Sequence, residues 1–255
     1  MDIRRKFLME ATKYTHNHTV GGYYLSEKFD GVRAFWDGGL SRECPISAVP
    51  YASVNNPRTL TVSRSGVATG LWSKDGRVIQ APDWFLNQLP CLPLDGEIWL
   101  GRGRRKDCKL MARGKYRDAW KLAEYAIFDS PSYDMFFQTG RVVTQVTNIQ
   151  IEAAKVQEWA GARAEKLFDK IYSIDYGPIE KVLAVLRDYI PSEGSIYLAL
   201  QRKLPIHVLE AERVAMSKLE KVLKAGGEGI ILRNPEDVWQ PQRSPGYIYC
   251  EELNA

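Results

Sequence analysis

The segment Glu27-Lys28-Phe29-Asp30-Gly31-Val32-Arg33 combines a lysine, a carboxylate and an arginine at a spacing that could do chemistry on phosphates. Lys28 and Asp30 are two residues apart, so their side chains share one face if the segment is extended. Gly31 permits a turn that brings Arg33 back towards that face. A lysine is a nucleophile only after it loses its proton. Because its ordinary pKa is about 10.4, nearby cations must assist that loss.

Two glutamates follow a second pattern, in which a carboxylate stands beside glycine and an apolar run. Glu97 lies in Leu94-Asp95-Gly96-Glu97-Ile98-Trp99, and Glu228 lies in Gly226-Gly227-Glu228-Gly229-Ile230-Ile231-Leu232-Arg233. Two carboxylates can hold a divalent cation, and the glycines let a bulky polyphosphate approach the backbone. Together with the lysine and the arginine, they form a set suited to nucleotidyl transfer.

Each segment on its own is more typical of ordinary structure. The letters K-x-D-G usually form a surface turn, DGE a hairpin turn, and GGEG a helix end followed by a loop. Phe128, in Tyr125-Ala126-Ile127-Phe128-Asp129, would by itself be assigned to the core. It is the combined order and spacing of the four segments that points to chemistry.

In combination, these segments resemble the motifs of ATP-dependent DNA ligases. That family belongs to the covalent nucleotidyltransferase superfamily, which also contains RNA ligases and mRNA capping enzymes. EKFDGVR resembles the nucleophile motif, LDGEIWLGRG the third motif, YAIFD the aromatic motif and GGEGIILRNP the fourth. The segments APDWFLNQLPCLPLDGEIW and FDSPSYDMFFQTGR are most similar to the compact ligases of bacteriophages. The resemblance runs from about Tyr23 to Arg243.

The resemblance implies a three-step sealing reaction in which Lys28 attacks the α-phosphate of ATP and becomes a lysyl–AMP phosphoramidate. AMP then passes to the 5′-phosphate of a nick in double-stranded DNA, and the 3′-hydroxyl displaces it. The implied catalytic residues are Lys28, Asp30 and Arg33. Phe128 would stack on adenine, and Mg²⁺ would offset the charge of the triphosphate. The implied nucleotide-binding residues are Lys28, Arg33, Lys74, Glu97, Phe128, Glu228 and Arg243, of which Glu97 and Glu228 are the metal ligands.

The chain departs from the family's pattern in three places. The fifth motif has two lysines two residues apart, and counting from Arg243 these positions hold Tyr249 and Glu251. The arginine of the usual Ser-Arg pair corresponds to Lys74, with Arg64 as the less favoured candidate. Only 12 residues follow Arg243, which is too few for a five-stranded OB barrel, so we expect the OB domain and the sixth motif to be absent.

These departures keep two alternatives open beside an active DNA ligase. Tyr249 and Glu251 remove two positive charges near an anionic intermediate, and Glu251 adds a negative charge. A truncated or lapsed ligase that binds DNA or nucleotide without efficient self-adenylation would fit that change. An RNA ligase is the second alternative, although DGEIW and the phage-like segments favour the DNA ligase branch.

Positive charge is concentrated in residues 101–117, which contain eight lysines and arginines against one acid, in a chain of net charge +4. Such focused charge is expected of a surface that lies along phosphates. A solvated loop is the plainer interpretation. The position of this run directly after the third motif favours a DNA-backbone surface formed by Arg102, Arg104, Arg105, Lys106, Lys109 and Arg113.

Composition narrows the class of protein further. The 255 residues contain no apolar run approaching the roughly 18 residues that a membrane helix needs. The four cysteines are far apart, so a zinc site or a disulfide framework is improbable and a reducing cytoplasm is expected (a host's cytoplasm, if the gene belongs to a phage). We expect a monomer without membrane contact, serving DNA replication, repair or recombination.

Short β-type runs dominate the first half of the chain, and helical patterns follow in the second. The sequence predicts helices over Ile151–Phe168 and Ala211–Lys224, and the mixture without a regular βαβ rhythm favours an α+β fold. The resemblance implies one ATP-grasp-like adenylation domain over 1–255 with an insertion at about 39–71. Two antiparallel sheets flanked by helices would hold the nucleotide between them. The predicted strands are Tyr23–Phe29, Val32–Trp36, Arg77–Gln80, Leu94–Leu100, Tyr125–Phe128 and Ser195–Leu200.

Overall fold

A computed structural model describes residues 8–49, 51–53, 66–131 and 178–252 of the chain. The described strands are β1 (Glu10–Lys13), β2 (Tyr24–Lys28), β3 (Val32–Asp37), β4 (Leu71–Ser73), β5 (Pro93–Trp99), β6 (Glu124–Asp129), β7 (Ile196–Leu198), β8 (Arg202–Lys203), β9 (Gly229–Arg233) and β10 (Arg243–Cys250). The described α-helices are α1 (Asp83–Leu86), α2 (Arg105–Ala112), α3 (Ile179–Tyr189) and α4 (Val208–Lys224), and 3-10 turns span Ile46–Ala48 and Arg117–Leu122.

The first sheet has the strand order β1-β10-β9-β2-β8. Strands β2 and β9 are antiparallel, and their register pairs Lys28 with Gly229 at the end of the ladder. Buried side chains of β9 and β10, among them Ile230, Leu232 and Ile248, pack against the apolar face of α4. The ladder therefore brings the end of the lysine segment beside the start of the GGEG segment, which is more than 190 residues away in the sequence.

The second sheet has the strand order β4-β3-β5-β6-β7. Strands β3 and β5 are antiparallel, and Arg33 pairs directly with Glu97. Strand β6 lies on the other side of β5, with a register shift between Asp95 and Gly96. The main core of the molecule lies behind this sheet and includes Trp120 and residues of α2 and α3.

Residues 29–31 connect β2 of the first sheet to β3 of the second. A buried ion pair also joins the sheets, because the Arg233 guanidinium of β9 donates to Asp129 Oδ2 of β6 at 2.5 Å. Trp239, between β9 and β10, donates its indole N–H to Asp95 Oδ2 of β5 at 3.0 Å. The two sheets are thus held at the point where the candidate site residues meet.

The structure confirms the α+β class and the strands predicted around Lys28, Arg33, Glu97 and Phe128, but it corrects several details. The sheets are mixed rather than purely antiparallel, because β1 runs parallel to β10 and β6 runs parallel to β7. Each parallel pair joins strands that are far apart in sequence, as parallel pairing requires a long connection. The predicted strand Arg77–Gln80 is wrong: that segment makes one isolated bridge, between Val78 and Trp72.

The other predictions concern the helices and segments that lie outside the described residues. The predicted helix Ala211–Lys224 is confirmed and begins three residues earlier, at Val208. Part of the basic run is helical, since residues 105–112 form α2. The predicted helix Ile151–Phe168 lies outside the described residues, as do Arg64 and part of the expected insertion at 39–71. In the described part of the chain, no helix combines the length and apolar character needed to span a bilayer.

Candidate functional site

A cleft of about 490 Å³ lies where the two sheets meet. Its walls come from β2, β3, β5, β9 and β10 and from the segments around α2 and β4. Residues from widely separated parts of the chain converge on it. All seven residues expected to bind nucleotide line this cleft: Lys28, Arg33, Lys74, Glu97, Phe128, Glu228 and Arg243.

The amine of Lys28 lies between two carboxylates. Its Nζ is 2.6 Å from Glu228 Oε2 and 2.8 Å from Glu251 Oε1. Glu228 precedes β9 and Glu251 follows β10, so both neighbours are positioned by the first sheet. The Tyr249 ring centre lies 6.0 Å from the same amine. Lys28 is therefore held at the end of its strand, with its charge compensated on two sides.

Glu97 is partly buried in the part of the cleft wall that β5 forms. Its Oε1 accepts a hydrogen bond from the backbone N–H of Gly31 at 3.2 Å. Burial raises the pKa of Glu97 to about 7, although the positive charges of Arg33, Lys28 and Arg105 oppose that rise. Around neutral pH this carboxyl is therefore poised between its two protonation states, and a bound cation would favour the ionised one.

The Arg33 side chain is partly buried and is held by Asp95. It donates two parallel hydrogen bonds to Asp95, from Nε at 2.6 Å and from Nη2 at 2.7 Å. Its guanidinium also lies over the Phe128 ring, 4.6 Å from the ring centre. Asp95 thus fixes Arg33, and Arg33 in turn supports an aromatic ring that faces the cleft.

The structure separates Asp30 from the cleft wall proper. Asp30 does not line the cleft, but it is partly buried beside it, and its Oδ1 is 3.8 Å from Arg105 Nε. Arg105 also donates to Glu228 Oε1 at 3.2 Å. Asp30, which the resemblance implies to be catalytic, is therefore connected to Lys28 through Arg105 and Glu228.

Several contributors to the site escaped the sequence-based expectations. Arg77 and Tyr247 line the cleft. Asp95 does not line it but orients Arg33 by accepting its hydrogen bonds. Arg102, expected on a DNA surface, instead makes a two-pronged ion pair with Glu27 at 2.9 Å for each bond. The order LDGE places Asp95 two residues from Glu97 on the same strand. This spacing in the sequence indicates that Asp95 lies near the site, and it could have predicted the contact with Arg33.

The six residues of the expected DNA surface do not share one environment. Arg105, Lys109 and Arg113 line the cleft, whereas Lys106 is exposed away from it. Arg104, the N-cap residue of α2, pairs with Asp107 at 3.0 Å. The spacing of the three cleft residues, at i, i+4 and i+8, is that of one helix face.

The donor chemistry of the cleft suits Mg²⁺ in part. Glu97 and Glu228 supply carboxylate oxygens, which are the hard donors that this ion prefers. Within the described ranges, no group of three or more His, Cys, Asp or Glu side chains is arranged to hold a metal ion. Mg²⁺ commonly takes one or two carboxylates and completes its shell with water and substrate phosphates, so these residues fit a metal that arrives with a nucleotide.

Comparisons with known proteins agree on the architecture. No protein-family model matches the chain. A curated DNA ligase of Haemophilus influenzae is 18% identical over 229 residues, which cover 90% of this chain and 58% of the relative. The chain thus spans somewhat more than half the length of that relative.

Solved structures give the closer view of the fold. A structure from a study of DNA binding by Lig E DNA ligases matches 96% of this chain and 68% of its own, with a TM-score of 0.58 and 20% identity. The Chlorella virus DNA ligase-adenylate matches with a TM-score of 0.53 and 14% identity, over 96% of this chain and 66% of that one. The ATP-dependent ligase of bacteriophage T7 in complex with ATP matches with a TM-score of 0.50 and 12% identity, over 98% and 70%. This chain has the fold of the adenylation domain of DNA ligases, as the sequence resemblance implied.

Proposed function

We propose that this chain is an ATP-dependent DNA ligase in which Lys28 accepts AMP from ATP and passes it to the 5′-phosphate of a nick. The nick's 3′-hydroxyl then displaces AMP and closes the strand. One observation carries the proposal: seven residues spread from position 28 to position 243 converge on a single cleft, with the amine of Lys28 at its edge. The fold shared with DNA ligases supports the same conclusion.

The side chains of the cleft divide the work of the first step. Lys28 attacks the α-phosphate, and pyrophosphate leaves. Phe128, backed by Arg33, offers an aromatic surface to the purine. Glu97 and Glu228 would hold Mg²⁺, which supplies charge compensation for the phosphates when it is bound. Proton transfer from the Lys28 ammonium falls to Glu228, whose Oε2 is 2.6 Å from the amine.

The later steps need a nicked duplex beside the same cleft. We assign Arg104 and Lys106 to the DNA backbone, because they lie in the basic run but outside the cleft wall. The chain would act as a monomer. All four cysteines are free, which is in line with a reducing cytoplasm.

Covalent labelling tests this proposal directly. Incubation of the full chain with α-labelled ATP and Mg²⁺ should transfer label to the wild-type protein and leave Lys28→Ala unlabelled. A nicked duplex added afterwards should be sealed and should remove the label. Equal labelling of both proteins would refute the role of Lys28, and stable label that no nick removes would refute the ligase reaction.

The contact between Glu251 and Lys28 favours a second candidate function. A carboxylate that pairs with the nucleophile disfavours self-adenylation, while it leaves open the sealing of a nick that already carries AMP. Supplying a pre-adenylated nick without ATP separates the two functions. Sealing of that substrate by a protein that labels poorly would support the second function, and absence of sealing would exclude it.

A further inference from the structure

The cleft has a cationic wall that the chemistry at Lys28 does not use. Arg105, Lys109 and Arg113 all line it, and they are spaced four residues apart along α2 and its C-terminal cap. Residues at this spacing lie on one helix face, and each step of four rises about 6 Å along the axis. We call these three residues the cationic face of α2.

The cationic face of α2 begins at the proposed nucleophile. Arg105 and Lys28 share Glu228, with Arg105 Nη1 3.2 Å from one carboxylate oxygen and Lys28 Nζ 2.6 Å from the other. Lys109 and Arg113 continue from this point along the cleft wall. A ligand with one phosphate at Lys28 would therefore meet further positive charge along α2.

The far end of this face meets a second source of positive charge. The backbone N–H of Gln80 donates to the Ala112 carbonyl at 3.0 Å and docks the end of α2 on the segment that follows β4. Arg77 belongs to that segment and lines the same cleft. Arg113 and Arg77 therefore flank the junction between the two elements.

These cations are uncommitted, unlike those nearer the sheets. Over the described ranges, Lys109, Arg113 and Arg77 form no ion pair, whereas Lys28, Arg33 and Arg105 each contact a carboxylate. Like charges along one wall repel one another, and a bound anion would relieve that repulsion. The wall is thus electrostatically suited to an anion that carries several charges.

Charge also orients such an anion. Glu97, Glu228 and Glu251 surround the Lys28 end of the cleft and disfavour negative charge there beyond what Lys28 and a metal ion offset. The cationic face of α2 leads away from them. A chain of phosphates would therefore place its outermost and most charged groups along α2 rather than among the glutamates.

We propose that the cationic face of α2, together with Arg77, is the binding site for the β- and γ-phosphates of ATP and for the pyrophosphate formed from them. The inference rests on the proposed function, because it takes the α-phosphate to lie at Lys28. It reassigns Arg105, Lys109 and Arg113, which their position in the basic run had placed on the DNA backbone.

A charge-matched pair of variants tests the inference. Lys109→Gln/Arg113→Gln removes two positive charges from the cleft wall, and Lys115→Gln/Arg117→Gln removes two from exposed positions of the same basic run outside it. Titration calorimetry would measure the affinity of each protein for ATP, AMP and inorganic tripolyphosphate. Mg²⁺ is left out so that AMP is not transferred to Lys28 during the titration. Nicked DNA would be titrated in parallel at several salt concentrations.

We expect the cleft pair to weaken ATP and tripolyphosphate binding about tenfold or more, with AMP binding within about twofold of the wild type. The exposed pair should leave all three ligands unchanged. Equal loss for AMP and ATP, or no loss for tripolyphosphate, would overturn the inference. So would weaker DNA binding with a smaller salt dependence and unchanged ATP affinity, since the face would then contact the DNA backbone.

The tripolyphosphate measurement separates failure of this inference from failure of the proposed function. If the wild-type protein binds neither nucleotide, the nucleotide site is wrong, and tripolyphosphate binding still decides whether α2 holds phosphates. If the wild type binds both nucleotides and the cleft pair changes nothing, only the assignment of α2 fails.

Discussion

Glu251 Oε1 lies 2.8 Å from Lys28 Nζ, so the carboxylate that follows β10 forms an ion pair with the proposed nucleophile at the end of β2. The sequence resemblance places a lysine of the fifth motif at position 251. Instead of a cation that would attract the phosphates of ATP, the chain presents an anion that binds the amine itself. Glu228 contacts the same amine at 2.6 Å, so two carboxylates hold Lys28 in place.

Glu251→Lys should increase self-adenylation. The variant removes the ion pair and adds a positive charge beside the α-phosphate, so we expect at least about a tenfold higher initial rate of labelling by α-labelled ATP, equivalent to about 1.4 kcal/mol. Sealing of a pre-adenylated nick should change much less, because that reaction needs no attack by Lys28.

Glu252→Lys is the matched control for that measurement. It makes the same change of charge one residue further on, where Glu252 pairs with the exposed Lys13 at 3.2 Å. We expect its labelling rate to stay within about twofold of the wild type. Slower labelling by Glu251→Lys would instead mean that Glu251 is needed, as the acceptor of the proton that Lys28 must lose.

Asp95→Asn should destabilise the fold through Arg33. Asp95 is fully buried and accepts both hydrogen bonds of the Arg33 fork, so the variant leaves a partly buried guanidinium without its counter-charge. Breaking such a pair typically costs about 3–5 kcal/mol of the free energy of unfolding, which urea unfolding would measure.

A double-mutant cycle distinguishes that cause from lost packing. Arg33→Gln/Asp95→Asn removes both charges, so it should be more stable than the sum of the two single variants predicts. Additive losses would show that the charge of Arg33 is compensated elsewhere.

The motif segments were predictable from the sequence because their signals are local. Strands β2, β3, β5 and β6 all lie within about a residue of the expected limits. The lysine, the two glutamates and Phe128 consequently came together as expected. The resemblance implies their roles, and the strand register explains their proximity, since Arg33 pairs with Glu97 and Lys28 with Gly229.

Contacts between distant segments were not predictable in the same way. Strand β1 runs parallel to β10, and no local pattern in either strand indicates a partner some 230 residues away. The sequence predicts that the basic run forms a single DNA-binding surface. In the structure Lys109 of α2 lines the cleft, whereas its neighbour Lys106 does not. Cys108 and Met111 of this helix are fully buried and hold it against the core. The net charge of the run gives no indication of that burial.

Glu97 should make the metal-free protein less stable as the pH rises through neutrality. Burial raises the pKa of Glu97 to about 7, so the folded state binds the proton more tightly than the unfolded chain does. The resulting stabilisation is complete below the ordinary carboxyl pKa, about 4.5, and is lost as the pH approaches and passes about 7. Glu97→Gln cannot ionise and lacks this loss.

Thermal unfolding of both proteins in EDTA between pH 5 and pH 8 would measure the difference. We expect the free energy of unfolding of Glu97→Gln to gain about 2 kcal/mol on the wild type over that range. Added Mg²⁺ should narrow the gap at pH 8 if Glu97 is a ligand. Parallel pH curves for the two proteins would show that Glu97 is ionised throughout.

Gly31→Ala should disrupt the connection that carries Lys28 from one sheet to the other. A Cβ at Gly31 would lie 2.2 Å from the carbonyl oxygen of Ile98 and 2.9 Å from Cβ of Trp99, so residues 29–31 must move away from β5. The movement breaks the hydrogen bond from the Gly31 N–H to Glu97. We expect a loss of at least about 2 kcal/mol in the free energy of unfolding and a fall in self-adenylation of at least about tenfold.

Gly22→Ala is the control for that measurement. Gly22 has a φ of 75°, but no atom lies within 4 Å of its Cβ position. Backbone strain of about 1 kcal/mol should therefore be the whole effect of this variant. Equal stability and equal labelling of the two variants would show that the close approach at Gly31 is absorbed without moving Lys28.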